Sequence, residues 1–133
     1  DCVTCLDVLE HFSEPDVLLR HIANMFLKDK GTLLLNLPNV GHWSIVEDLL
    51  NGHWDYLPGG TLCNTHVRFF TRHTIIDLLE NNGFVIETIT PVKSPLPEAT
   101  ERYLSFIESQ GKPIDRDSLE TVSFRVIAQK HID

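Results

Sequence analysis

DCVTCLDVLEHF, residues 1–12, sets the architecture. Residues 2–9 are almost continuously apolar, the habit of a strand covered on both faces, as in parallel sheets. The run ends in Asp7, Glu10 and His11, three side chains that can bind metal or move protons. Ser13, with Asp16 three positions on and Pro15 in the first turn, predicts a helix start. Val17, Leu18, Ile22, Met25 and Phe26 recur at helical spacing as its apolar stripe, and Gly31 stops it. GTLLLNLPN (31–39) is then a second apolar strand, ended by Pro38. Strand, helix and strand in 38 residues make a βαβ unit.

Residues 39–70 lack a clear period beyond a short helix expected over 44–50. They hold Trp43, Trp54, Tyr56, Phe69, Phe70, His42, His53 and His66 around the turn Pro58-Gly59-Gly60. A long aromatic connection after a parallel strand is where open α/β sheets place ligands, so this segment is the expected substrate side. The same aromatics would also serve as core plugs. TRHTIIDLLENNG (71–83) predicts a helix opened by Thr71, buried through Ile75, Ile76, Leu78 and Leu79, and stopped by Asn82-Gly83. FVIETIT (84–90) is a strand. PVKSPLPE (91–98) reads as a bend, and 99–111 as a helix with Tyr103, Leu104 and Ile107 inward. TVSFRVIAQK (121–130) alternates, with Val122, Phe124, Val126 and Ala128 on one face.

The 133 residues form one domain, long enough to bury roughly two-thirds of its unfolded surface. Nineteen acidic and 11 basic residues give a net charge of −8. Such a field repels polyanions, which argues against nucleic-acid partners. No apolar run reaches the ~20 residues that cross a bilayer, so a cytoplasmic location without membrane contact is the expectation. Cys2, Cys5 and Cys63 are an odd count, against a disulfide framework. In a strand Cys2 and Cys5 face opposite sides and cannot share a metal.

These segments together resemble the C-terminal half of a class I S-adenosylmethionine-dependent methyltransferase. DCVTCLDVLEHF is similar to the fourth strand and turn of the ubiquinone-biosynthesis O-methyltransferases and their bacterial relatives, and GTLLLNLPN to the fifth strand. NGHWDYLPGGTLCNTHVRFFTRHTIIDLLENNGF (51–84) resembles a stretch of that group. The expected fold is α/β, a partial Rossmann-like sheet of strands four to seven with flanking helices. It divides into the βαβ unit (1–38), the substrate-side loop (39–70), a helix and strand (71–90), and a linker helix with a final antiparallel strand (91–133). The family's glycine-rich loop after strand one and its acidic ribose ligand have no counterpart here, so the N-terminal cofactor half is expected to be missing. The isolated chain should then be inactive, and its open sheet edge should self-associate.

The resemblance implies S-adenosylmethionine as cofactor of the intact enzyme, contacted at Leu6 and Asp7. Asp7, Glu10 and His11, with His66, match an E-x-x-E-H…H set that holds a divalent ion in the quinone and small-RNA methyltransferases. Here Asp7 replaces glutamate, with shorter reach. Mg²⁺, Mn²⁺ or Zn²⁺ would suit such ligands. His66 and His11 are the candidate catalytic groups, for removal of one proton from an oxygen acceptor. His42, Trp43, Trp54, Tyr56 and Arg68 are candidates for contact with a small-molecule or glycan-type acceptor. His42 is equally a surface group, and Arg68 equally a partner for a nearby acid. A rival expectation from another class is a non-catalytic interaction module that keeps the half-sheet. A glycine-rich strand-turn-helix in the reading frame upstream of Asp1 would separate the two.

Overall fold

A computed structural model describes residues 1–132. The chain runs β1 (Cys2–Leu6), a 3-10 turn (Leu9–His11), α1 (Pro15–Met25), β2 (Thr32–Pro38), α2 (Trp43–Leu50) and α3 (Arg72–Asn81). It then continues through β3 (Phe84–Lys93), α4 (Glu98–Ser109), α5 (Arg116–Glu120) and β4 (Thr121–Lys130). One four-stranded sheet has the order β1-β2-β4-β3. β1 and β2 are parallel, with Cys2 opposite Thr32 and Leu6 opposite Asn36. β4 enters between β2 and β3, antiparallel to both. This is the mixed α/β sheet expected for a methyltransferase.

Leu33, Leu35 and Leu37 of β2 bury one face of the sheet with Phe124, Val126 and Ala128 of β4. Leu9, Leu19, Ile75 and Leu79 from the turn and the two covering helices complete this core. Buried Asn82 joins α1 to α3: its amide donates to Asp16 and to the Leu78 carbonyl, and its oxygen accepts from Arg20. Gly83 follows at φ +81°, the left-handed stop expected of Asn82-Gly83. Thr71 and Thr74 cap α3 reciprocally.

Several expectations are corrected. β1 ends at Leu6, and only Cys5 of its five residues is buried. The strand lies at the sheet edge, so it is not covered on both faces. Ser13 does not cap α1; Glu14 occupies that position without a side-chain bond. The buried stripe of α1 is Leu19, Ile22 and Ala23, while Val17, Met25 and Phe26 are exposed. The helix carries two apolar stripes, and the sheet takes the one with the smaller side chains. Gly31 lies past the helix end, where a Cβ would stand 2.8 Å from the Lys28 carbonyl oxygen.

β3 runs through Pro91 to Lys93 rather than bending there, because an edge strand tolerates a residue with no N–H. In β4, Val122 is the extra residue of a register shift, which turns Thr121 inward and Val122 out. Tyr103 is also exposed, leaving Leu104 with Thr100 as the buried positions of α4. α5 was not expected. It is tied to α4 by the Arg116 guanidinium, which meets Glu101, Glu108 and the Ser105 hydroxyl.

Candidate active site

Residues 7–11 leave the sheet at the carboxyl ends of β1 and β2, the edge where open α/β sheets bind ligands. Asp7 sits in the left-handed region at φ +54°. Its N–H donates to the Asn36 carbonyl (3.1 Å), and its Oδ1 accepts from Asn36 Nδ2 (2.7 Å). The next residues wind into the 3-10 turn, burying Leu9 and Glu10. The Glu10 carbonyl accepts from the N–H groups of Val67 (2.8 Å) and Arg68 (3.2 Å). Those two bonds draw residues 61–68 over the turn and bring His66 to it.

Glu10 is fully buried, and neither carboxylate oxygen has a hydrogen-bond partner among the described residues. Burial pushes its carboxyl above the usual range; nearby Asp7 acts in the same direction, and the two histidines oppose it. His66 Nε2 stands 3.9 Å from Glu10 Oε1. On the other side of the ring, Nδ1 lies 2.9 Å from the Thr61 carbonyl oxygen. A carbonyl only accepts, so Nδ1 carries the proton and the Nε2 lone pair is left toward Glu10. His11 packs edge-on against His66 with ring centroids 4.7 Å apart. One ligand atom from each of Glu10, His11 and His66 lies within 4.8 Å of the other two. The cleft at them holds about 360 Å³ and is also lined by Asp7, Pro38, Thr61, Cys63, Val122 and Ser123.

Sequence similarity and fold converge on one assignment. A family described as a methyltransferase domain matches residues 1–89, two-thirds of the chain. The chain belongs to the methyltransferase-domain family. Among solved structures, a small RNA methyltransferase superimposes with TM-score 0.61 at 15% identity, over 100% of this chain and 14% of that one. A putative methyltransferase from Bacillus halodurans gives 0.55 at 20% identity, over 98% of this chain and 64% of its own. A S-adenosylmethionine-dependent methyltransferase from Methanosarcina mazei gives 0.61 at 14% identity, over 100% and 60%. The chain thus spans less than two-thirds of the length of each of these relatives.

Within this methyltransferase domain the expected site residues fall into separate groups. Glu10, His11 and His66 come together. Asp7 lines the same cleft, but its carboxylate is held by Asn36 and is not among the converging ligand atoms. Leu6 ends β1 with its side chain exposed. His42 caps α2: its Nδ1 faces the Ser44 amide and hydroxyl, and its Nε2 lies 3.0 Å from the Ser94 hydroxyl. Trp43 is buried against α4, with its ring 6.0 Å from that of Tyr103. Trp54 and Tyr56 cluster on Phe69 at 5.2 and 6.5 Å. Arg68 is exposed and donates to the Val67 carbonyl; no acid pairs with it among the described residues. Asn36, Thr61 and Cys63 were not foreseen. Thr61 acts through a backbone carbonyl, which leaves no trace in residue type.

His42 also sets a pH response. Burial lowers its pKa below the ordinary histidine value. The unfolded chain therefore binds this proton more readily, and stability is intact above the unfolded value of ~6.5 and lost as pH falls toward the folded one. His42→Asn, which keeps a capping side chain, is expected to flatten that loss as the pH falls below about 6.5 in thermal melts. A melting profile that kept its full acid slope would remove His42 as the cause.

Proposed function

We propose that this chain supplies the acceptor side of a S-adenosylmethionine-dependent O-methyltransferase of the ubiquinone-biosynthesis type, acting on a hydroxyl of a small molecule or glycan. The observation that carries this is the orphaned Glu10 carboxylate facing the Nε2 of His66, beside His11, in a cleft at the carboxyl ends of β1 and β2. By the resemblance, Leu6 and Asp7 at the end of β1 would contact the methionine end of the cofactor. The 133 residues contain no G-x-G-x-x-G, so the isolated chain is expected to be inactive and to bind the cofactor weakly.

Methyl transfer to oxygen is an in-line displacement: the acceptor oxygen forms a bond to the methyl carbon as the sulfonium bond breaks. The acceptor's hydroxyl proton must leave. His66 Nε2 is placed to take it, with the Thr61 carbonyl fixing the tautomer and Glu10 stabilising the imidazolium that results. The same donors fit a divalent ion: one carboxylate and two imidazoles, with a buried carboxylate that lacks any other partner. Glu10, His11 and His66 would hold it, and when bound it would lower the pKa of an acceptor hydroxyl.

The test uses a full-length protein carrying this domain, labelled S-adenosylmethionine, and a panel of phenolic and polyol acceptors. His66→Ala is expected to lower kcat at least ~100-fold. Chelator sensitivity of the wild type separates the ion from the free base, and equilibrium dialysis with Mn²⁺ or Zn²⁺ checks binding directly. Unchanged turnover in His66→Ala would sink the assignment.

We also infer that the 133-residue chain self-associates along β1. Among the described residues β1 pairs only with β2, leaving its other edge open, and Leu6, Val17, Met25 and Phe26 are exposed. Sedimentation equilibrium at high micromolar concentration is expected to give a mass well above 15.2 kDa. A monomer throughout would oppose it.

A further inference from the structure

Cys63 lines the same cleft as Glu10, His11 and His66. Its main chain is fixed on both sides: the N–H donates to the Gly60 carbonyl at 3.1 Å, and the carbonyl accepts from the His66 N–H at 2.9 Å. The residue is half-buried, and its Sγ lies 3.2 Å from the Thr65 hydroxyl, which can donate to a thiolate. Of the two other cysteines, Cys5 is buried, and Cys2 is exposed at the start of β1, the end away from the cleft.

The charge of the cleft is one-sided. Asp7 and Glu10 line it, and among the described residues no lysine or arginine does. The fully buried Glu10 carboxylate has no hydrogen-bond partner there, and Asp7 is bonded through one oxygen only, to Asn36. A molecule that enters with a positive charge offsets these carboxylates, and the net charge of −8 attracts it from solution.

We propose that Cys63 is a modification site for the disulfide of a small cationic aminothiol, which leaves its aminoalkyl arm in this cleft. The Cys63 thiolate attacks one sulfur of the disulfide. The new S–S bond forms as the old one breaks, and the departing half leaves as a thiolate that takes a proton from water. A short arm fits a cleft of about 360 Å³, with its ammonium toward Asp7 and Glu10. Resting on the function proposed above, the adduct shuts off methyl transfer by occupying the space before His66, and a reducing thiol reopens it.

Cystamine and the neutral hydroxyethyl disulfide are the probes, applied at pH 8 to the 133-residue chain carrying Cys2→Ser. Peptide mass mapping is expected to show one addition, at Cys63, with Cys5 untouched in the folded chain. Cystamine is the faster reagent on any thiol with a poorer competitor, so the urea-unfolded chain sets the reference. The cystamine-to-hydroxyethyl rate ratio at Cys63 should be at least about threefold higher folded than unfolded. About 0.5 M salt should bring the two ratios together, and so should Asp7→Asn combined with Glu10→Gln; the salt arm needs no variant to fold. In nuclear magnetic resonance spectra the ring signals of His11 and His66 should move on modification, while that of His21 on α1 stays. A folded ratio no higher than the unfolded one, or an adduct that leaves both rings unmoved, would overturn the proposal. These readouts need no cofactor, so they stand apart from any failure of the methyltransferase reading. In the full-length protein cystamine should stop methyl transfer and dithiothreitol restore it, whereas Cys63→Ser should lose none of its own rate; equal inhibition of both would overturn the regulatory role.

Discussion

With divalent ions chelated at pH 8, Glu10→Gln is expected to melt higher than the wild type, by at least ~3 °C. The same variant should lose at least ~tenfold in affinity for Mn²⁺ or Zn²⁺. An ionised carboxylate that is fully buried without a hydrogen bond costs stability, on the order of 1–3 kcal/mol or more. Glutamine removes the charge, and its amide can donate to His66 Nε2, now 3.9 Å from the carboxylate. A side chain that weakens the fold where it stands is explained by chemistry rather than by packing. Thermal melts with and without chelator, beside equilibrium dialysis, read both effects. A lower melting temperature with unaltered ion affinity would make Glu10 a structural group of the turn.

Asn39→Ala is expected to be the most destabilising single change outside the apolar core, by about 3 kcal/mol or more. Asn39 is fully buried just past β2. Its amide donates to the carbonyls of Ser118 (2.9 Å) and Thr121 (2.8 Å), and its oxygen accepts from the Gly41 amide (2.9 Å). One side chain thereby fixes the exit from β2, the end of α5 and the first residue of β4. Alanine strands all three partners in a space too polar to collapse around. The urea midpoint should fall with the m-value unchanged. A shift of only a few tenths of a kcal/mol would show that water replaces the amide.

Asn39 illustrates what was legible in the sequence and what was not. Its place at the end of a strand was plain, but partners some 80 residues away leave no local pattern. Signals that act within one turn of chain were reliable: Thr71 opening α3, Gly83 closing it, Pro38 ending β2. Signals that depend on what packs opposite were not. The stripe of α1 was assigned to Val17, Leu18, Ile22, Met25 and Phe26, of which Ile22 is buried and Leu18 packs against the core, because spacing alone cannot say which apolar face meets a sheet. Pro91 read as a break, since only the position of β3 at an edge excuses its missing N–H. At the site, Glu10, His11 and His66 were visible as residue types. Their convergence depends on the Glu10 carbonyl holding residues 67 and 68, and the His66 tautomer on the Thr61 carbonyl, both main-chain contacts. His42 and Trp43 stood near the site in sequence but turned to capping and to the α2–α4 contact.

The place of β4 has a consequence for how the molecule is made. The strand at the centre of the sheet is contributed by residues 121–130, so β2 and β3 have no partner between them until those residues arrive. During synthesis the β1–β2 pair must wait, with Leu33, Leu35 and Leu37 uncovered on one flank, while some 80 further residues are added. Closure then proceeds through contacts of high sequence separation, which is intrinsically slow. Folding in this domain is a late event, complete only after residue 130 has left the ribosome.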